Sequence, residues 1–128
     1  MAKNQQFLLI DGVSDQIWYQ LLKETLSSLG KLLTGNEKQA VSMVQEGDYE
    51  LVILDALAVR NVPRLVSRLR SQRPDVRIVV ATASPTWRRA RETLLAGATD
   101  YIPKSYDKEA LFCTLSVALE KKPPPWPR

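Results

Sequence analysis

The chain of 128 residues contains no histidine and only one cysteine, Cys113. The absence of histidine removes the commonest general base and the commonest transition-metal ligand. With a single cysteine no internal disulfide can form, and a structural zinc site has too few ligands. A lone cysteine agrees with a reducing compartment, so we expect a cytoplasmic location.

Long apolar runs are also missing. No run approaches the 18 residues that mark a candidate membrane span, and the apolar stretch at residues 7–10 is too short for a signal peptide. We therefore expect no membrane partner. The 45% hydrophobic and 25% charged residues are typical of a single soluble domain that can bury its own core.

Five short apolar segments alternate with five amphipathic ones. The apolar segments predict strands at residues 7–11, 31–35, 49–55, 76–82 and 99–103, and the amphipathic ones predict helices at 14–30, 36–47, 63–73, 84–97 and 107–122. This alternation favours an α/β domain whose parallel sheet has helices on both faces. The predicted helix caps are Ser14, Asn36, Ser84 and Asp107, with Pro63 opening the third helix.

Polar groups follow several predicted strands. Asp11, Asp55 and Thr82 end the first, third and fourth strands, and Lys104 follows the fifth. In doubly wound sheets functional groups collect at the carboxyl ends of strands. There Asp55 could attack a phosphoryl group, while Lys104 and Thr82 hold its oxygens and Mg²⁺ bridges it to the carboxylates.

Four blocks of sequence make the chain resemble the response-regulator (CheY-like) receiver domains of two-component signalling, over about residues 5–120. The blocks are FLLIDG, LVILDA, VVATAS and AGATDYIPKS. The resemblance implies a three-layer flavodoxin-like fold with strand order 2-1-3-4-5. We predict a receiver domain at residues 1–120 and a proline-rich tail or linker at 121–128.

The resemblance also implies roles for individual residues. Asp55 matches the phosphoacceptor and Asp11 the first acid of the family's acidic pair. Thr82 and Tyr101 match the switch hydroxyl and aromatic, and Lys104 matches the pocket lysine. A histidine kinase or phosphotransfer protein would supply the phosphoryl group, and the face formed by helix 4, strand 5 and helix 5 would relay the signal. Such a domain is not an enzyme with an external product.

The sequence departs from the family at three places. Gly12 replaces the second acid, so the expected Mg²⁺ donors reduce to Asp11, Asp55 and the backbone carbonyl of Leu57, and binding should be weak or absent. The loop after Asp55 lacks the family's proline. Ser105 stands where a proline, often cis, usually follows the lysine.

These departures leave an alternative open, namely a pseudo-receiver that binds proteins or anionic ligands without phosphorylation. A plainer interpretation treats Asp11 and Asp55 as strand-end charges in a structural ion pair with Lys104. The output domain or effector and a homodimer also stay open, because one sequence reveals neither.

Arginine dominates residues 60–91, which contain nine arginines and one acid, although the whole chain carries only +4. Two predicted neighbouring helices would share a patch for an anionic partner; a solvated face is the plainer interpretation. The patch comprises Arg64, Arg68, Arg88, Arg89 and Arg91.

Three further side chains have simple structural interpretations. Trp18 lies on the apolar stripe of the first helix and is expected in the core. Trp87 is expected to be at least partly buried, with a partner contact near the signalling face as the alternative. Cys113 is expected to be a small buried side chain.

Overall fold

The computed structural model describes residues 5–11 and 15–121 of the chain. Its strands are β1 (Gln5–Ile10), β2 (Gly30–Gly35), β3 (Leu51–Asp55), β4 (Ile78–Thr82) and β5 (Asp100–Pro103). Its helices are α1 (Gln16–Leu26), α2 (Glu37–Glu46), α3 (Val62–Gln72), α4 (Trp87–Leu95) and α5 (Lys108–Glu120), with a 3₁₀ turn at Ala56–Ala58. The five strands are parallel in the order 2-1-3-4-5, which confirms the predicted fold.

The sheet separates two apolar layers. Alternate strand residues such as Leu9 and Ile53 pack against α1 and α5 on one face. Their neighbours, such as Leu8 and Val52, pack on the other face against α2 and α3, and α4 contacts α3 on that side. Because both faces of the strands are covered, β3 and β4 are buried along their whole length.

Strand register brings the carboxyl ends together. Ile10 pairs with Leu54 in the β1–β3 ladder, so the next residue, Asp11, lies level with Asp55. Asp55 in turn pairs with Ala81, one residue before Thr82. The chemistry-bearing strand ends therefore share one edge of the sheet, as the sequence predicts.

Two predicted helix starts are wrong. Ser14 lies outside the described residues, and α1 is capped by Asp15, whose Oδ1 accepts the backbone N–H of Trp18 at 3.0 Å. Helix α4 is capped by Thr86 instead of Ser84, because the backbone N–H of Ser84 donates to the Thr82 hydroxyl at 3.1 Å and is held in the turn after β4. The predicted caps Asn36 and Asp107 are confirmed.

The first helix is also shorter than predicted. It ends at Leu26, and Gly30, predicted as its C-terminal stop, instead begins β2. A Cβ built on Gly30 would lie 2.1 Å from the carbonyl oxygen of Gln5. Glycine is needed here because β1 and β2 approach too closely for a side chain.

Two burial predictions are wrong and one is confirmed. Trp18 is buried, but Trp87 is 81% exposed because α4 buries only Thr93 and turns its first residue to solvent. Cys113 is exposed. It lies about 200° around the helix from the buried Leu111, at about 100° per residue, and so falls on the solvent side of α5.

One arginine of the basic segment is fully buried. The Arg70 guanidinium donates to the carbonyl oxygen of Gly97 at 3.1 and 2.7 Å, to that of Pro74 at 2.9 Å and to that of Val76. Burial lowers the pKa of Arg70, partly offset by the charge of Asp75. Arg70 therefore joins α3 to the turns before β4 and β5, which is a structural role that composition did not reveal.

The helices described within residues 5–11 and 15–121 include none with the length and hydrophobicity that a membrane span requires. Helix α5 ends at Glu120. The tail beyond Lys121 and the glycine at position 12 lie outside the described residues, so the predicted domain boundary and tail stay predictions.

We expect Arg70→Met to destabilise the domain by about 2–3 kcal/mol, because buried carbonyl groups lose their donors while the side-chain volume is roughly kept. Urea unfolding followed by circular dichroism measures this. Arg68→Met, at an exposed position on the same helix, is the matched control, with an expected change within about 0.5 kcal/mol. Equal effects of the two substitutions would contradict the role assigned to Arg70.

Candidate functional site

The site centres on Asp55, the last residue of β3, whose side chain is 1% exposed. Its Oδ1 accepts the backbone N–H of Leu57 at 3.0 Å, which begins the 3₁₀ turn. Its Oδ2 accepts Lys104 Nζ at 2.8 Å. A buried carboxylate costs free energy unless it is paired and hydrogen-bonded, and each oxygen of Asp55 has such a partner.

Lys104 follows β5 and its side chain is 3% exposed. Its backbone N–H donates to the carbonyl oxygen of Thr82 at 2.8 Å, which fixes the start of the side chain over the end of β4. Burial lowers the pKa of Lys104, but hydrogen bonds to Asp55 and Asp15 and the charges of both carboxylates outweigh burial and hold it above its ordinary value. The ammonium group therefore stays charged in the pocket.

Asp15 is the site residue that sequence reasoning missed. Its Oδ2 accepts Lys104 Nζ at 3.1 Å and the hydroxyl of Tyr106, while Oδ1 caps α1. Burial raises the pKa of Asp15, but the bonds from Tyr106, the backbone of Trp18 and Lys104 hold it below the ordinary value. The bond to Asp15 raises the pKa of Tyr106. The sequence carries only the signal of a helix cap here, and a cap does not reveal a contact 89 residues away.

The remaining predicted residues lie around this pair. Asp11 is half-buried beside the end of β3, and its backbone N–H donates to Gly35. Thr82 is buried at the end of β4. Tyr101 is half-buried on β5 and lines, with Thr82, a cavity of about 310 Å³ between α3 and α4. The structure thus brings Asp55, Lys104 and Thr82 together at the sheet edge, with Tyr101 beside a cavity next to them.

The expected metal donors are all oxygen atoms, namely the Asp11 and Asp55 carboxylates and the Leu57 carbonyl, and this chemistry suits a hard cation such as Mg²⁺. Among the described residues, no three or more His, Cys, Asp or Glu side chains cluster as metal ligands would. Gly12 lies outside those residues. A Mg²⁺ ion at this donor set would keep several of its water ligands, and the weak binding expected from Gly12 stays a prediction.

The five arginines of the predicted patch, residues 64, 68, 88, 89 and 91, are all exposed. Arg88 approaches Glu92 at 3.9 Å, with both side chains largely in solvent, so this pair contributes little. Helices α3 and α4 contact each other, so the arginines can share a surface. Binding of an anionic partner there stays a prediction.

Comparison with known proteins agrees with this geometry. The family model of the response regulator receiver domain matches residues 11–116. The chain belongs to the response regulator receiver family. It is therefore a receiver domain of two-component signalling, as the four sequence blocks predict.

Relatives support the assignment. The receiver is 32% identical over 108 residues to the transcriptional regulator NtrC of Azospirillum brasilense, covering 82% of this chain and 22% of that protein. It is 30% identical over 129 residues to the photosynthetic apparatus regulatory protein RegA of Cereibacter sphaeroides, covering 98% of this chain and 68% of RegA. This receiver thus spans about a fifth of the length of NtrC.

The fold also matches solved receivers. A response regulator from Thermotoga maritima superposes with a TM-score of 0.81 at 21% identity, covering 93% of this chain and all of that one. At this identity the likeness establishes the fold, and the assignment of individual site residues depends on the local geometry.

We expect Asp15→Asn to make the receiver less stable by about 1 kcal/mol at pH 7, a figure reduced for the partial exposure of the side chain. The folded-state pKa of Asp15 is depressed, so its contribution is fully present above the ordinary value of 3.8 and is lost as pH falls through the folded-state value. Urea unfolding at pH 7 and pH 3 should show the difference between the two proteins shrinking at pH 3. A difference that is the same at both pH values would contradict the assigned charge interaction.

Proposed function

We propose that this receiver accepts a phosphoryl group on Asp55 from a phosphohistidine of a kinase or phosphotransfer protein. The observation that carries the proposal is the 2.8 Å contact between the buried Asp55 carboxylate and Lys104. A positive charge held beside the acceptor carboxylate can stabilise the negative charge of the incoming phosphoryl group. Because these 128 residues contain no histidine, the phosphohistidine of the proposed donor must lie outside them.

The transfer is a displacement at phosphorus. An oxygen of Asp55 forms the O–P bond as the N–P bond of the donor breaks, and the histidine nitrogen leaves with the bonding electrons and later takes a proton from solvent. Lys104 shifts its ammonium from the carboxylate toward the phosphoryl oxygens. Bound Mg²⁺ would neutralise charge on the same oxygens, held by the Asp11 and Asp55 carboxylates and the Leu57 carbonyl.

We propose that Thr82 and Tyr101 change position when Asp55 is phosphorylated and so transmit the signal. The Thr82 hydroxyl lies at the end of β4 and, in the resting state, accepts the backbone N–H of Ser84. When it turns toward the phosphoryl group, the cavity of about 310 Å³ that Tyr101 lines offers room for the ring to move inward. The ring and the turn would then shift together.

The surface that would carry the signal outward is formed by α4, β5 and α5. Trp87, Leu95 and Val117 are exposed on these helices, and exposed apolar side chains of this size mark candidate contact surfaces. We propose that an output domain or effector protein contacts this face. The phosphorylation-independent alternative gains no comparable support, because the Asp55–Lys104 contact is intact.

The test is phosphorylation by acetyl phosphate with excess Mg²⁺, followed by intact-mass measurement. We expect wild type to gain one phosphoryl group that is labile at alkaline pH, as an acyl phosphate is. Asp55→Asn should gain none, because its amide is a poor nucleophile. Asp48→Asn, at an exposed position beyond the opposite end of the sheet, is the matched control and should label like wild type. Absence of labelling in wild type, or normal labelling of Asp55→Asn, would overturn the proposal.

A second test concerns the metal site. We expect Gly12→Asp to tighten Mg²⁺ binding about tenfold, because it restores a carboxylate ligand that the family carries at this position and that is worth about 1.4 kcal/mol at that factor. Mg²⁺ titration followed by isothermal calorimetry, without any phosphodonor, measures the effect. Ser28→Asp, at an exposed position in the turn between α1 and β2 at the other end of the domain, controls for the added charge. Equal affinities of wild type and Gly12→Asp would show that position 12 does not limit metal binding.

A further inference from the structure

The segment 104–107, between β5 and α5, carries the lysine that the proposed transfer needs. In this chain Ser105 stands where receivers usually have a proline, so the backbone lacks the restriction that a proline ring imposes. The structure shows a different constraint. The carbonyl oxygen of Ser105 accepts the indole Nε1–H of Trp18 at 3.1 Å, and Trp18 is buried in the first turn of α1.

A second link joins the same two elements. Asp15, the residue that caps α1, accepts Lys104 Nζ at 3.1 Å and the hydroxyl of Tyr106 through the same oxygen. Tyr106 is 53% exposed, so the apolar ring is not held by burial, and its hydroxyl bond is what ties it to α1. Lys104 Nζ also lies 5.1 Å from the centroid of the Trp18 ring, within range of a cation–π contact.

These contacts enclose the lysine on three sides. Asp55 and Asp15 each hold the ammonium group with one oxygen, and the Trp18 ring covers it. We propose that the first turn of α1, through Asp15 and Trp18, positions Lys104 for phosphoryl transfer to Asp55. This inference depends on the proposed function and deepens it, and it assigns to Asp15 and Trp18 a positioning role.

Whether removal of the Asp15 charge slows or accelerates transfer follows from what happens to Asp55. On transfer, one Asp55 oxygen becomes the bridging oxygen of an acyl phosphate, the carboxylate charge is lost, and the hold of Asp55 on the ammonium group weakens. Asp15 keeps its charge throughout and remains a second anchor. A lysine side chain has several rotatable bonds, so losing that anchor lets the cation leave the reacting oxygens. If Asp15 instead only competed with the phosphoryl oxygens for the ammonium group, removal of its charge would accelerate transfer.

The experiment uses substitutions that remove the contacts and leave the fold. Asp15→Asn keeps a good helix cap and removes the charge, while Tyr106→Phe removes one hydroxyl at an exposed position. Asp107→Asn alters the cap of α5, and Tyr49→Phe removes a hydroxyl near the opposite end of the sheet; these are the matched controls. All four are compared with wild type in two measurements.

The first measurement needs no phosphorylation. Lysine-selective ¹H–¹⁵N spectra of the resting protein should show slowly exchanging ammonium protons for Lys104, because the group is buried and doubly hydrogen-bonded. We expect that protection to be lost in Asp15→Asn, reduced in Tyr106→Phe and unchanged in both controls.

The second measurement is the rate of phosphorylation by phosphoramidate with Mg²⁺. We expect it to fall about tenfold in Asp15→Asn and about threefold in Tyr106→Phe.

Unchanged ammonium protection in Asp15→Asn, or a transfer rate equal to or above that of wild type, would overturn the positioning role. Controls that slow transfer as much as Asp15→Asn would also overturn it, since the effect would then be a general one of capping or stability. If wild type accepts no phosphoryl group, the proposed function fails, while the resting-state spectra still decide whether Asp15 holds Lys104. If Asp15→Asn does not fold, Tyr106→Phe carries both measurements.

Discussion

The buried contact between Lys104 and Asp55 is the interaction on which the carboxyl edge of this domain depends. Asp55 is the last residue of β3 and Lys104, 49 residues later, follows β5, and these two strands are not neighbours in the sheet. The strand β4 lies between β3 and β5. The bond from the Lys104 backbone N–H to the carbonyl oxygen of Thr82 fixes the position from which the lysine side chain extends. If either charge were missing, the other would be left desolvated with a weaker set of partners, which is costly in a protein interior. The strand order therefore brings Asp55 and Lys104 together, and their pairing in turn allows both charges to be buried at this edge of the sheet.

Much of this arrangement is readable from sequence because the signals are local. Continuous apolar segments such as the one ending at Asp55 predict buried parallel strands, and Asn36 and Asp107 bond to backbone groups within their own first turn, so a short window contains all the information. The carboxyl-edge residues follow from the same alternation of strands and helices. Because parallel strands end at one edge of the sheet, these residues can be placed together without knowledge of side-chain contacts.

What the sequence could not predict is decided by distant partners. Arg68 and Arg70 lie on the same helix in the same basic run, yet only Arg70 is buried, because carbonyl groups from Gly97 and Val76 meet its guanidinium there. Trp18 and Trp87 both lie in the first turn of amphipathic helices. They differ because Trp18 faces the sheet and α5, whereas α4 is short and lies with its first turn open to solvent. No pattern within either helix distinguishes these cases.

The departures from the family are connected through the same pocket. Gly12 leaves the proposed metal site one carboxylate short of the family's pattern, while Asp15 places a carboxylate beside Lys104. The two positions are not equivalent. Both partners of Asp15 Oδ2 are donors, Lys104 and Tyr106, and a carboxylate oxygen engaged in this way serves the lysine instead of a metal ion. The Asp15 carboxylate thus serves Lys104, and the bond between Trp18 and Ser105 ties the loop that carries the lysine to α1. If Asp55 accepts a phosphoryl group as proposed, the fixed ammonium group of Lys104 supplies positive charge beside it at a site with few protein ligands for a divalent ion.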